Sequence, residues 1–151
     1  MTAAATPRRP AAALPPATYR ALAGFRYQIR RFLRASEDAA RSAGLEPQQH
    51  QLLLALKGAP LHAVPTVAWL AERLQLQHHS LVGLVDRLER RQLVRRRRDA
   101  ADHRRALVTL TARGEAILHR LSLIHQEEIR SRAGEFVAAL AAIVRLAPRR
   151  R

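Results

Sequence analysis

Cysteine is absent from the 151 residues, and lysine nearly so, with Lys57 standing alone. Without thiols the chain can form no disulfide, thiolate zinc site or iron–sulfur cluster, and it has no cysteine nucleophile or redox sensor. Acidic residues are also scarce: 12 Asp and Glu stand against 27 Lys and Arg, a formal net charge of +15. Nearly all of that charge is therefore guanidinium, a planar fork that grips phosphates and base edges. The excess points to a polyanionic partner, with nucleic acid ahead of a membrane surface. A GC-rich coding bias, which would enrich Ala, Leu and Arg together, is the rival source. Long apolar runs are missing as well, none approaching the ~20 residues of a membrane span, and no signal-peptide stretch opens the chain. The expectation is a cytoplasmic protein with no membrane partner.

Catalytic signatures are lacking too. There is no phosphate-binding glycine loop, nucleophile elbow or H-E-x-x-H, and the carboxylates are scattered among arginines. Nothing supplies an activated nucleophile, so the chain reads as a non-enzyme without a cofactor. Seven histidines raise the question of metal. His78 and His79 are neighbours, however, and on a helix they point ~100° apart, which suits one ion poorly, so no metal site is assigned.

What is present is helical patterning with sparse punctuation. Residues 1–16 carry four prolines and read as a disordered arm, residues 17–147 as one domain and residues 148–151 as a basic tail. From Tyr19 to Ala43 the positions Leu22, Phe25, Ile29, Phe32, Ser36, Ala39 and Ala43 step by three or four, the stripe of one amphipathic helix ending near Gly44. Such a helix is ~37 Å long, more than one side of a core this size requires, which suggests packing on a second chain. Pro47 opens a short helix through Lys57. Thr66 can cap the next, with Val67, Leu70, Ala71 and Leu74 inward; Trp69 occupies the place where a Glu would complete a capping box. After the connection Gln75–Gln77, a second stripe of Leu81, Leu84, Val85 and Leu88 leaves His78, His79, Val82, Gly83 and Asp86 turned outward. Two short helices joined by a tight turn in this way form a helix-turn-helix.

Two candidate strands follow, Leu93 to Arg98 and Ala106 to Thr111, separated by the polar segment from Asp99 to Arg105. A hairpin with a charged tip directly after a helix-turn-helix is a wing. Thr111 then caps a helix through Ile117, Leu121 and Ile124, and Gly134 is expected to separate it from a last helix bearing Phe136, Leu140 and Ile143. The fold class is mainly α: a winged helix-turn-helix over residues 46–111, flanked by dimerisation helices at 17–44 and 112–147.

The segments LVDRLE at Leu84–Glu89, Leu-Val-Arg-Arg at Leu93–Arg96, D-x-x-D-x-R at Asp99, Asp102 and Arg104, and LT-x-x-G at Leu110–Gly114 occur in that order. Together they resemble the winged-helix regulators of the MarR family. The resemblance implies a homodimeric transcription regulator, in the simplest case a repressor on a palindromic operator in double-stranded DNA, released by a small aromatic or acidic effector. It also implies that Gln77, His78, His79, Ser80, Val82, Gly83 and Arg87 lie on the major-groove face, that Asp102 braces the wing, and that Arg104 enters the minor groove beside His103 and Arg105. Gln77, Gly83, His103 and His50 depart from the residues usual at those positions. In the effector cleft the implied set is Phe25, Arg26, Arg30, Phe32 and His50.

Three readings of the residues themselves remain open. A strand alternates its faces, so two of the four arginines Arg95–Arg98 can reach phosphate, with Arg96 and Arg98 as candidates, while the others are solvated or paired with Asp99 or Glu89. His50, among Leu53, Leu54 and Lys57, is either a half-buried histidine bonded to a backbone carbonyl or an effector contact. A winged helix used for nonspecific DNA binding or for protein contact, without effector control, is the alternative function. Over Arg73–Arg105 ten arginines face four carboxylates, so the segment assigned to DNA is itself basic.

Overall fold

A computed structural model describes residues 14–100, 102 and 105–146. Residues 1–13 of the expected arm, His103, Arg104 and the tail 148–151 lie outside the described residues. The elements run α1 (Pro16–Ser42), α2 (Pro47–Lys57), α3 (Val67–Leu74), α4 (His78–Arg90), β1 (Val94–Arg98), β2 (Ala106–Leu110) and α5 (Ala112–Leu146). This is the mainly helical winged-helix arrangement expected from the sequence. Two details differ. Pro16, assigned to the arm, is the first residue of α1, a position where its missing N–H costs nothing. Gly134 does not divide the last helix, because α5 is one helix of 35 residues. Gly44 follows α1 with a left-handed φ of 75° and Gly58 caps α2 at φ −88°, whereas Gly134 lies inside a continuous helix and has no positive φ.

Two compact units are present, one over Phe32–Ser131 and one joining Met1–Arg31 with Arg132–Arg151. In the first, the inward stripe of α4, Leu81, Leu84, Val85 and Leu88, is at most 1 % exposed. It shares a core with Leu52 and Leu53 of α2, Leu70 of α3, Val108 of β2 and Leu121 of α5. Local chemistry fixes several helix ends. At α2, Glu46 and Gln49 exchange capping bonds, and Thr66 Oγ1 accepts from the Trp69 N–H at 3.1 Å to start α3. Gln75 ends α3 in the left-handed region at φ 55°. Trp69 is half-buried against the core, with the Arg73 guanidinium 5.9 Å from its ring centre. The two strands pair antiparallel from Val94↔Leu110 to Arg98↔Ala106, and an isolated bridge, Thr66↔Leu107, joins the hairpin to the start of α3.

The hairpin leads into α5 through Thr111, whose hydroxyl donates to the Gln92 carbonyl at 2.6 Å and accepts from the Gly114 N–H at 3.1 Å. In the second unit, Phe25 and Phe136 meet edge to face at 5.6 Å, and Glu135 accepts from Gln28 and Arg31. Tyr19, Tyr27, Val137 and Val144 of this unit are more than half exposed.

The buried residues include polar ones, Ser36, Gln49, His50 and Asp99. His50 of α2 is 2 % exposed and stacks on His125 of α5, with ring centres 4.7 Å apart and planes 22° from parallel. Neither Nε2 has a hydrogen-bond partner, which departs from the carbonyl-bonded alternative at that atom. Burial first, and the neighbouring His125 second, lower the His50 pKa from 6.5 to about 4.

Two stability measurements follow from this packing. A Cβ on Gly114 would stand 2.0 Å from the Leu93 carbonyl oxygen, a backbone atom that cannot swing aside, whereas Gly134 has nothing within 4 Å. Urea denaturation is expected to show Gly114→Ala losing about 3 kcal/mol, and Gly134→Ala gaining roughly 0.5–1 kcal/mol by removing a helix-interior glycine. The second measurement concerns pH. With the folded pKa of His50 below its unfolded value, the unfolded chain takes up the proton first. Stability is then complete above pH 6.5 and declines as pH falls towards 4. From pH 7 to pH 5 this one group should remove about 2 kcal/mol, and His50→Leu should abolish that component; an unchanged pH profile in the variant would exclude His50 as its source.

Candidate nucleic-acid interface and adjoining cleft

Because four apolar residues anchor α4 in the core, its opposite face is committed to the surface. His78, His79 and Ser80 are exposed in the first turn, Val82 and Gly83 are half-buried in the second, and Asp86 and Arg87 are exposed in the third. Gln77 takes the N-cap place in extended conformation but makes no side-chain cap bond. First-turn N–H groups without a capping side chain favour an anion such as phosphate. A Cβ on Gly83 would lie 3.4 Å from an Arg87 guanidinium nitrogen, so the missing side chain gives Arg87 room to lie along the helix.

Of the four arginines of β1, three are exposed and one is half-buried. Arg95, Arg97 and Arg98 are exposed. Arg96 turns towards α4, where its guanidinium reaches Glu89 Oε2 and Asp86 Oδ1, each at 2.5 Å, while its backbone N–H donates to Glu89 Oε1 at 2.9 Å. Burial lowers the Arg96 pKa, but hydrogen bonds and charge from Asp86 and Glu89 outweigh it and hold the group above its ordinary value. Glu89 was foreseeable as a partner for a strand arginine. Asp86 was not, because it reads from the sequence only as an outward residue of α4.

At the wing base, Arg105 is held by two carboxylates, Asp99 Oδ2 at 3.2 Å and Asp102 Oδ2 at 3.4 Å. Its N–H donates to the Asp102 carbonyl at 2.9 Å, and its own carbonyl accepts from the Asp99 N–H at 3.0 Å. The structure thus brings Asp102 and Arg105 together, with Arg105 as the partner of Asp102 inside the hairpin.

Within the same unit α1, α2 and α5 line an open cleft of about 660 Å³. Phe32, His50, Leu54, His119, His125 and Ile129 give it a largely apolar wall. Arg130, the one charged residue of the lining, is paired with Glu127 at 3.6 Å and mostly exposed. Of the residues expected in an effector cleft, Phe32 and His50 line this one. Phe25, Arg26 and Arg30 do not; Phe25 packs on Phe136 in the other unit. His125 escaped the sequence reading, although it continues the α5 stripe of Leu118 and Leu121 by one helical step.

Residues 43–105 match the family model described as MarR family. No curated protein matches the chain. Among solved structures, MepR, a transcription regulator of the Staphylococcus aureus multidrug efflux pump MepA, is 22 % identical over 74 % of this chain and 80 % of its own, with a TM-score of 0.65. The S. aureus MepR–DNA complex is 23 % identical over the same shares, with a TM-score of 0.62. The transcriptional repressor CouR, bound to a 23-mer DNA duplex, is 26 % identical over 79 % of this chain and 87 % of its own, with a TM-score of 0.61. Motifs, fold and family model agree: residues 43–105 match the MarR family model, and the chain has the winged-helix fold of these structures.

Proposed function

We propose that the chain is a homodimeric, sequence-specific DNA-binding transcription regulator, a repressor rather than an enzyme, acting on an imperfect palindrome. The observation that carries this reading is the face of α4: His78, His79 and Ser80 stand exposed on a helix whose other side is locked in the core, next to a hairpin presenting Arg95, Arg97 and Arg98. Winged-helix chemistry puts such a helix in the major groove and the hairpin beside the minor groove. DNA-bound MepR and CouR share the fold, which supports the same use here.

Dimerisation through residues 17–44 and 112–147 is supported by the apolar side chains left exposed there, among them Leu22, Tyr27, Val137 and Leu140. A dimer presents two α4 helices about one helical turn of DNA apart, hence the palindrome. Repression is the simplest outcome of a bound dimer standing in the path of polymerase. The cleft lined by Phe32, His50 and His125 is the proposed entry for a small aromatic or acidic ligand, which releases DNA only if it favours the non-binding conformation.

Selection of bound sequences from random duplex DNA tests the function, and sedimentation tests the dimer; a chain that stays monomeric at micromolar concentration removes the palindrome with it. Once an operator is in hand, His79→Ala and Ser80→Ala should change the preferred bases, since a good major-groove pair discriminates by ~1–3 kcal/mol and a single contact by less. Arg104→Ala should weaken operator binding by ~1.5–3 kcal/mol per contact while the fold is retained. Unaltered base preference and unaltered affinity would together move the interface away from α4 and the wing tip.

A further inference from the structure

The Arg96 side chain contacts three residues of α4 on one face, at i, i+4 and i+7. Its guanidinium donates to the Val82 carbonyl at 3.5 Å, to Asp86 and to Glu89, and the backbone N–H of the same residue also donates to Glu89. The Arg96 side chain is 27 % exposed, and on the strand the residue pairs with Val108, whose own side chain is fully buried. One planar fork thus joins the wing strand to the helix proposed to read the major groove. Both ends of the connection are rigid, because α4 and Val108 belong to the same core.

We propose that Arg96 is a positioning residue which sets the wing against α4, and that it does not itself contact phosphate. The inference rests on the DNA-binding reading above. The fork geometry is what lets one cation serve two carboxylates on successive turns of a helix; an ammonium is a point charge and cannot span them in the same way. The arrangement also explains how two carboxylates are accommodated on a helix meant for DNA, since Asp86 and Glu89 meet their counter-charge within the protein. Their place next to the wing is then functional: they hold Arg96, and Arg96 holds β1.

The consequences oppose those of a phosphate contact. An arginine that touches phosphate is replaced tolerably by lysine, and its loss makes log K against log salt shallower by roughly 0.9 per contact. A positioning arginine is not rescued by lysine, and its loss leaves the slope unchanged. Removing its carboxylate partners should impair specific binding even though this makes the DNA-facing surface more positive.

The test compares wild type, Arg96→Gln, Arg96→Lys and the double variant Asp86→Ala/Glu89→Ala, each titrated across a salt series against the duplex selected by the wild-type chain and against random-sequence duplex. Expected are losses of about ten- to hundredfold on the selected duplex for all three variants, with the wild-type salt slope kept by Arg96→Gln and tighter binding of random duplex by the double variant. Full activity of Arg96→Lys, a shallower slope for Arg96→Gln, or a double variant that binds the selected duplex more tightly would each overturn the proposal. Amide hydrogen exchange gives a readout that needs no DNA: protection of β1 and β2 should fall in Arg96→Gln while α4 keeps its own, and an unchanged wing would overturn the proposal. If the wild-type chain selects no duplex, the DNA-binding reading fails, and hydrogen exchange still decides whether Arg96 holds the wing.

Discussion

The structure depends on the burial of one stripe of α4. Leu81, Leu84, Val85 and Leu88 fill the centre of the larger unit, and every other element of that unit packs on them or on their neighbours. Because a helix turns by a fixed angle per residue, burying this stripe fixes the direction of every other side chain on it. His78, His79 and Ser80 are exposed as a consequence, and Asp86 and Glu89 fall where a strand arginine can reach them. A single substitution that rotated α4 would therefore displace the surface set and the wing contact together.

Charge is organised less simply than composition suggests. The net charge of +15 implies a broad polyanion-binding surface. Within the basic segment, however, several arginines have work inside the protein. Arg73 lies over Trp69, Arg91 donates to Gln49 at 2.9 Å, Arg96 joins α4 to β1, and Arg105 closes the wing base between Asp99 and Asp102. On α4 and β1 the exposed arginines are Arg87 and Arg90 of the helix and Arg95, Arg97 and Arg98 of the strand. Salt dependence of any binding to a polyanion follows the number of phosphates neutralised rather than the number of arginines.

Element order and the inward stripes were legible in the sequence because they rest on local rules. Thr66 and Thr111 make their cap bonds, Gln77 makes none, and the wing strands begin and end within a residue of the expected places. The errors share a different character. Gly134 was read as a break from propensity alone, yet a helix-interior glycine costs only about 1 kcal/mol, too little to end α5 when the chain on both sides is helical. Pairings across elements were the least visible. Nothing in the local pattern around Asp86 announces Arg96, and nothing around His50 announces His125, 75 residues further on. Such contacts arise from how helices pack, which one-dimensional periodicity does not encode.

The histidine pair shows what packing adds. The His50 imidazole is stacked in a largely apolar wall, and burial first and the neighbouring His125 second hold its pKa down. An acidic ligand entering beside His50 would bring a negative charge and make protonation of that residue easier, linking its binding to proton uptake. A neutral aromatic ligand would leave the pair as it is. α2 connects the cleft with α4: it lines the cleft with His50 and Leu54 and is bonded to the end of α4 through Gln49 and Arg91. Any ligand of the cleft would shift α4 only through a difference in its affinity for two conformations of the protein, however tightly it is held.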